Sequence, residues 1–139
     1  MKRTLFIFSL FIAACSGTEP KGKITGAYAT EYSFEQKNIQ TDKVVGKALI
    51  RDTFYIKAKE QGFEVQEKKW RKNDYDNNGW QEQVSIDKRR PVYQVRFDKT
   101  DNTLISENGF YPPMIIDIAG KQLFLSDKKD KGYTKIAAR

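Results

Sequence analysis

Apolar residues recur at every second position over most of the chain. Tyr28, Tyr32 and Phe34 alternate with Ala29, Glu31, Ser33 and Glu35, and Thr30 fills the apolar register. This period of two marks a strand with one buried face, and helical spacing finds no comparable stripe. Phe54, Ile56 and Ala58 repeat the pattern, Glu60-Gln61-Gly62 breaks it, and Phe63 and Val65 resume it, which predicts a hairpin. Tyr93, Val95 and Phe97 alternate in turn, and residues 98–102 supply turn chemistry before Leu104 and Ile105. Met114, Ile116 and Ile118 precede an Ala119-Gly120-Lys121 turn, Leu123, Phe124 and Leu125 return, and residues 132–136 form a closing strand. Roughly seven to nine short strands with regular turns predict an all-β fold, a small antiparallel meander forming a barrel or sandwich. Hairpin-like connections favour up-and-down order over a Greek key. Residues 36–50 read two ways, as a strand around 44–50 or as a short helix crossing the barrel mouth.

One stretch departs from this grammar. Residues 5–14 are apolar apart from Ser9, follow Lys2 and Arg3, and lead to Cys15, the only cysteine. Ten residues fall short of the roughly 20 that span a bilayer, but match the roughly 7–15 of a signal-peptide core. Cys15 has no partner for a disulfide within the chain, and with no histidine the residues do not make up a zinc site. Ile12-Ala13-Ala14-Cys15 resembles the lipobox of bacterial lipoproteins. That resemblance implies a signal peptide over 1–14 and a mature chain that starts at an acylated Cys15, its anchor to the membrane. Ser16 after the cysteine is similar to outer-membrane lipoproteins of Gram-negative bacteria, which implies an anchor in the outer membrane facing the periplasm. The order lipobox, GAYATEY, DTFYI, aromatic central hairpin and terminal GYTKI also resembles small lipocalin-like or β-barrel lipoproteins of Bacteroidota.

Composition sharpens the domain plan. Residues 16–23, SGTEPKGK, lack apolar side chains and read with Cys15 as a lipidated tether over 15–23. Residues 24–139 are long enough for a single β domain with a real core. The chain carries 25 Lys and Arg against 18 Asp and Glu, a net charge of +7. Such a balance attracts anionic lipid or polyanionic sugar, or simply keeps the surface soluble, since basic and acidic residues alternate. An exported chain is not expected to meet nucleic acid.

Three groups of residues carry candidate chemistry. Asp74, Asp76 and Asn78 with Gly79 have the alternate oxygen spacing of a calcium loop. The twelfth position is Ser85 instead of glutamate, so a tight hairpin tip explains the same residues and no metal is expected. Trp70, Tyr75 and Trp80, beside Arg71 and Lys72, form a candidate binding platform for a sugar ring or a protein loop. Packing of the tryptophans in the core is the competing reading. Phe110 and Tyr111, before Pro112 and Pro113, sit at a predicted sheet rim, for contact or to cover the core. Without histidine or a free thiol in the mature domain, the usual nucleophile and base pairs are missing, and no two carboxylates are marked as facing. The expectation is a membrane-anchored, noncatalytic envelope lipoprotein, without cofactor, whose β domain binds a protein partner. A lipocalin-like carrier of a small hydrophobic ligand and a glycan-contact module are the alternatives.

Overall fold

The computed structural model describes residues 20–83, 92–107, 109, 112–119 and 121–137. After one helical turn, α1 (Lys21–Ile24), the chain is all strand: β1 (Gly26–Lys37), β2 (Val44–Ala58), β3 (Phe63–Asn73), β4 (Gln81–Glu82), β5 (Val92–Asp98), β6 (Thr103–Ser106), β7 (Met114–Asp117), β8 (Gln122–Leu125) and β9 (Lys128–Ile136). Lys21 to Lys23, the end of the predicted tether, form the first three residues of α1. The sheet runs β2-β1-β9-β8-β7-β6-β5-β3-β4, and a further β2–β3 pairing closes it into an antiparallel barrel of eight strands with β4 as an addition. Barrel rather than sandwich, and meander rather than Greek key, resolve the fold alternatives. Residues 44–50 are strand, the first half of β2, and no helix crosses there.

The interior is filled by the alternating residues that the sequence marks. Tyr28, Phe54, Phe63, Leu104, Met114, Ile116 and Leu123 are all buried to 1% exposure or less. Tyr133 packs edge-on against Phe54 with ring centroids 4.9 Å apart. Each such side chain contributes about 1.5–3 kcal/mol through burial. Ile24 of α1 closes one end of the barrel, where Tyr28 Oη donates to the Ile24 carbonyl at 2.8 Å. Lys135 Nζ donates to the Lys23 carbonyl at 2.8 Å and Lys21 Nζ to that of Lys59 at 2.8 Å, so the turn is tied to β9 and to the β2–β3 hairpin.

The first three strands are the longest, at 12, 15 and 11 residues. β1 and β2 pair from Gly26↔Ile56 out to Lys37↔Val44, and β2 and β3 from Ala58↔Phe63 out to Ala48↔Asn73. β9, however, pairs with β1 only at Ala27, Tyr28 and Ala29, and β5 pairs with β3 only from Phe63 to Gln66. Beyond those points β1, β2 and β3 leave the barrel together as a three-stranded arm, residues 30–37, 44–52 and 67–73. At about 3.3 Å per residue, the arm carries its tip about 25 Å beyond the barrel, at the end opposite α1.

Candidate functional site

Where the long strands leave the barrel, register determines what faces outward. Ala29 stands opposite Thr53, Ala27 opposite Tyr55, Glu31 opposite Arg51, and Arg51 opposite Trp70. The two alanines and Thr53 form a low floor, while Tyr55, Arg51 and Trp70 rise beside it. On the far side, Ala27 pairs with Ile136 of β9, whose side chain makes the second wall. Trp80 completes the surround, and the result is a groove of about 600 Å³. That volume lies in the range of small-ligand sites.

Trp80 arrives there because the loop after β3 folds back over the sheet. Lys47 N donates to Asp74 Oδ1 at 2.9 Å, and Asp74 N donates to the Lys47 carbonyl at 3.1 Å. Asn73 Nδ2 donates to Asp76 Oδ2 at 2.7 Å, and Asn78 N donates to Asp76 Oδ1 at 3.3 Å. The two aspartates of the calcium-like spacing are thus engaged in holding the loop to β2 and to itself. Among the described residues, no three His, Cys, Asp or Glu side chains converge as a metal set. β4 then pairs with β3 at Trp70↔Glu82 and Arg71↔Gln81, which places Trp80 over the Arg51 guanidinium, 4.4 Å from its ring centroid.

Charge around the groove is compensated. Arg51 Nε donates to Glu31 Oε1 at 2.7 Å, and its Nη2 approaches the same oxygen. Lys68 Nζ pairs with Glu82 Oε2 at 3.2 Å. Thr53, in contrast, is 0% exposed, and its Oγ1 has no hydrogen-bond partner among the described residues. A buried hydroxyl left in that state costs about 1–3 kcal/mol.

A second polar cluster marks the inner side of the junction between barrel and arm. Asp52, 3% exposed, pairs with Lys131 at 3.0 Å and more loosely with Lys69 at 3.7 Å. Lys131 Nζ also lies 4.5 Å from the Tyr32 ring centroid, so one cation ties β9 to both β1 and β2. Burial, reinforced by the Asp52 carboxylate, pushes the Tyr133 phenol far above its ordinary range.

The structure therefore brings Trp70 and Trp80 together on one groove, outside the barrel and not in its core. Tyr75 stands apart, 61% exposed, against Gly46 at the arm. Phe110, Tyr111, Ile12, Ala13, Ala14 and Cys15 lie outside the described residues. Sequence reading misses the floor of the groove. Ala27, Ala29 and Thr53 look like ordinary small residues on a polar face, and only the pairing of β1 with β2 and β9 shows that they share a trough. Comparison of the chain with protein-family models, with curated proteins and with solved structures finds no match.

Proposed function

We propose that this protein is a lipid-anchored, noncatalytic binding protein of the bacterial envelope, tethered through acylated Cys15 in the outer membrane and facing the periplasm, that holds a protein partner on its arm. The observation that carries this reading is the placement of exposed apolar side chains. Tyr32, Phe34, Ile39, Val44, Val45 and Leu49 all lie on the β1–β2 part of the arm or at its tip and are at least 39% exposed. Tyr32 and Phe34, two residues apart on β1, share one face, and exposed apolar side chains gathered on one face mark an interaction surface. β1 adds an edge: beyond Ala29 it has no strand partner on its β9 side among the described residues, so residues 30–37 offer free backbone groups to an incoming strand.

The anchor fits this arrangement. Residues 16–20 lead from Cys15 into α1, which plugs the barrel end opposite the arm, so a tether at Cys15 directs the arm away from the bilayer. A multiply acylated cysteine holds firmly where a single chain does not. The interior does not suit the carrier alternative, because its volume is taken by the protein's own side chains.

Photo-crosslinkers placed at Tyr32 and Phe34 in the full chain in cells are expected to trap one dominant protein, while one at Lys128 on the barrel traps none. Equal capture from both surfaces would remove the arm from the proposal. Mass spectrometry of the isolated protein is expected to find acyl chains on Cys15, and a bare thiol there would remove the anchor.

A further inference from the structure

We infer that the cleft beside α1, at the anchored end of the barrel, is a docking site for the phosphate headgroup of an anionic phospholipid, held by Lys23, Lys121 and Lys135. The inference rests on the anchor proposed at Cys15. The cleft has a volume of about 650 Å³ and lies where α1, the β5–β6 turn, the β7–β8 turn and the end of β9 meet. Among the described residues, these three lysines line it against one carboxylate, Asp117. Along the arm and its junction, Lys37, Arg51, Lys68, Lys69 and Lys131 are all ion-paired, whereas Lys23, Lys121 and Lys135 form no ion pair among the described residues. Lys135 Nζ donates to the Lys23 carbonyl at 2.8 Å in an exposed position, which leaves two of its three N–H groups for ligand oxygens. Burial lowers the Lys135 pKa and the Lys121 charge lowers it further, as expected for two ammonium groups that share a site without a counter-ion.

The backbone holds these lysines in place at some cost. Lys121 has φ +54°, a left-handed conformation that costs a lysine about 1–2 kcal/mol and that glycine or asparagine adopts readily. Gly26 gives the Lys135 stem room, since a Cβ there would lie 2.7 Å from Lys135 Cε, and the ammonium rests 5.6 Å from the Tyr28 ring centroid. The tether then sets where the cleft can be. Six peptide steps separate Cys15 from Lys21, a reach of at most about 22 Å when fully extended. Lys23 follows within the same helical turn, so the cleft stays close to the headgroup layer, where each lysine gains about 1 kcal/mol from anionic lipid. That attraction adds to the hold of the acyl chains and fixes which end of the barrel faces the membrane.

Amine labelling of the protein isolated from membranes and reconstituted in vesicles reads the site directly, with mass spectrometry locating the labelled lysines. Vesicles of phosphatidylcholine with phosphatidylglycerol are expected to slow labelling of Lys23 and Lys121 at least about 3-fold relative to phosphatidylcholine alone, while Lys128, at the arm end of β9, is unaffected. Molar salt is expected to restore the faster rate, because it screens the attraction. Lys121→Asn suits the left-handed turn and removes the charge, so it is expected to bring Lys23 back toward its phosphatidylcholine rate while the urea midpoint holds or rises. Inorganic phosphate added to phosphatidylcholine vesicles separates a free anion from a lipid headgroup, and is expected to protect neither lysine. Equal labelling in the two vesicle types, protection that survives molar salt, protection by phosphate alone, or undiminished protection in Lys121→Asn would each overturn the inference. The same spectra report the acyl chains. A bare Cys15 removes the anchor, whereas an acylated Cys15 with unprotected lysines overturns the headgroup site and leaves the anchor standing.

Discussion

Barrel and arm share three strands, yet the two ends of β2 have opposite fates. In the barrel half, Phe54 and Ile56 are 0% and 2% exposed; in the arm half, Val44 and Val45 are 51% and 55% exposed. Residue type does not explain this, since all four are apolar. Sheet closure does: in the barrel one face of each strand turns onto a shared interior, whereas Val44 and Val45 lie beyond the start of β3 pairing at Ala48, where β2 has only β1 beside it; nearer the barrel, Ala48 and Ile50 are still buried at 0% and 4%. The difference separates stability from recognition within one continuous sheet. The barrel spends its apolar surface on folding, and the outer part of the arm leaves its own available.

The largest effect that would break this contrast is a pair of truncations at the same residue type. Phe54→Ala, in the barrel and edge-on to Tyr133, is expected to lower stability by about 3–5 kcal/mol in urea titration. Phe34→Ala, at 42% exposure on the arm, is expected to cost under about 1 kcal/mol. Equal losses would mean that the arm is part of the same cooperative core.

Much of the barrel is legible in the sequence, because a period of two survives wherever one face is buried, and the 60–62 break falls at the β2–β3 hairpin. Residues 36–50 resist reading for a physical reason. At the tip of the arm both faces meet solvent, so Lys37, Asn38, Lys43 and Lys47 intermingle with Ile39, Val44 and Val45 without selection for alternation, which resumes only at the buried Ala48 and Ile50. The candidate site is half legible. Trp70 and Trp80 stand out by chemistry, but Ala27, Ala29 and Thr53 matter through what they do not fill, and smallness on an outer face has no signature in one strand alone. Ile118 shows the converse, since its place in the alternation suggests strand, yet β7 stops at Asp117 and Ile118 packs from a turn.

A second contrast uses two glycines in left-handed backbone, Gly62 at φ +67° in the barrel's β2–β3 hairpin and Gly79 at φ +68° in the loop behind the arm. Alanine is strained at either by about 1–2 kcal/mol. At Gly62 an added Cβ would also meet the Val95 carbonyl oxygen at 2.4 Å, whereas at Gly79 nothing lies within 4 Å. Gly62→Ala is therefore expected to cost about 2–4 kcal/mol and Gly79→Ala about 1 kcal/mol, read as urea midpoints. Similar costs would show that the β3–β5 seam yields easily and that the barrel is less tightly closed than its pairing implies.

The smallest expected effect is a pH dependence that belongs to the barrel. Burial holds the Tyr28 and Tyr133 phenols above their ordinary 10.0, with the Asp52 carboxylate adding to the effect at Tyr133. A raised folded pKa leaves stability intact below 10.0; above it the unfolded chain releases its phenolic protons first, so stability falls as pH rises, by at most about 1.4 kcal/mol per pH unit for each tyrosine. Lys135 acts in the opposite sense, because burial lowers its pKa from 10.5. Between its folded value and 10.5 the unfolded chain binds more protons, so stability rises with pH there and stops rising at about 10.5. Above that point only the tyrosines still act, and urea midpoints are expected to drop steadily up to about pH 11. Tyr133→Phe keeps the ring against Phe54 and removes the titrating group, so its midpoint is expected to fall less steeply over the same interval. An unchanged slope in that variant would mean that Tyr133 ionises freely, and hence that the junction where the arm leaves the barrel is open to water.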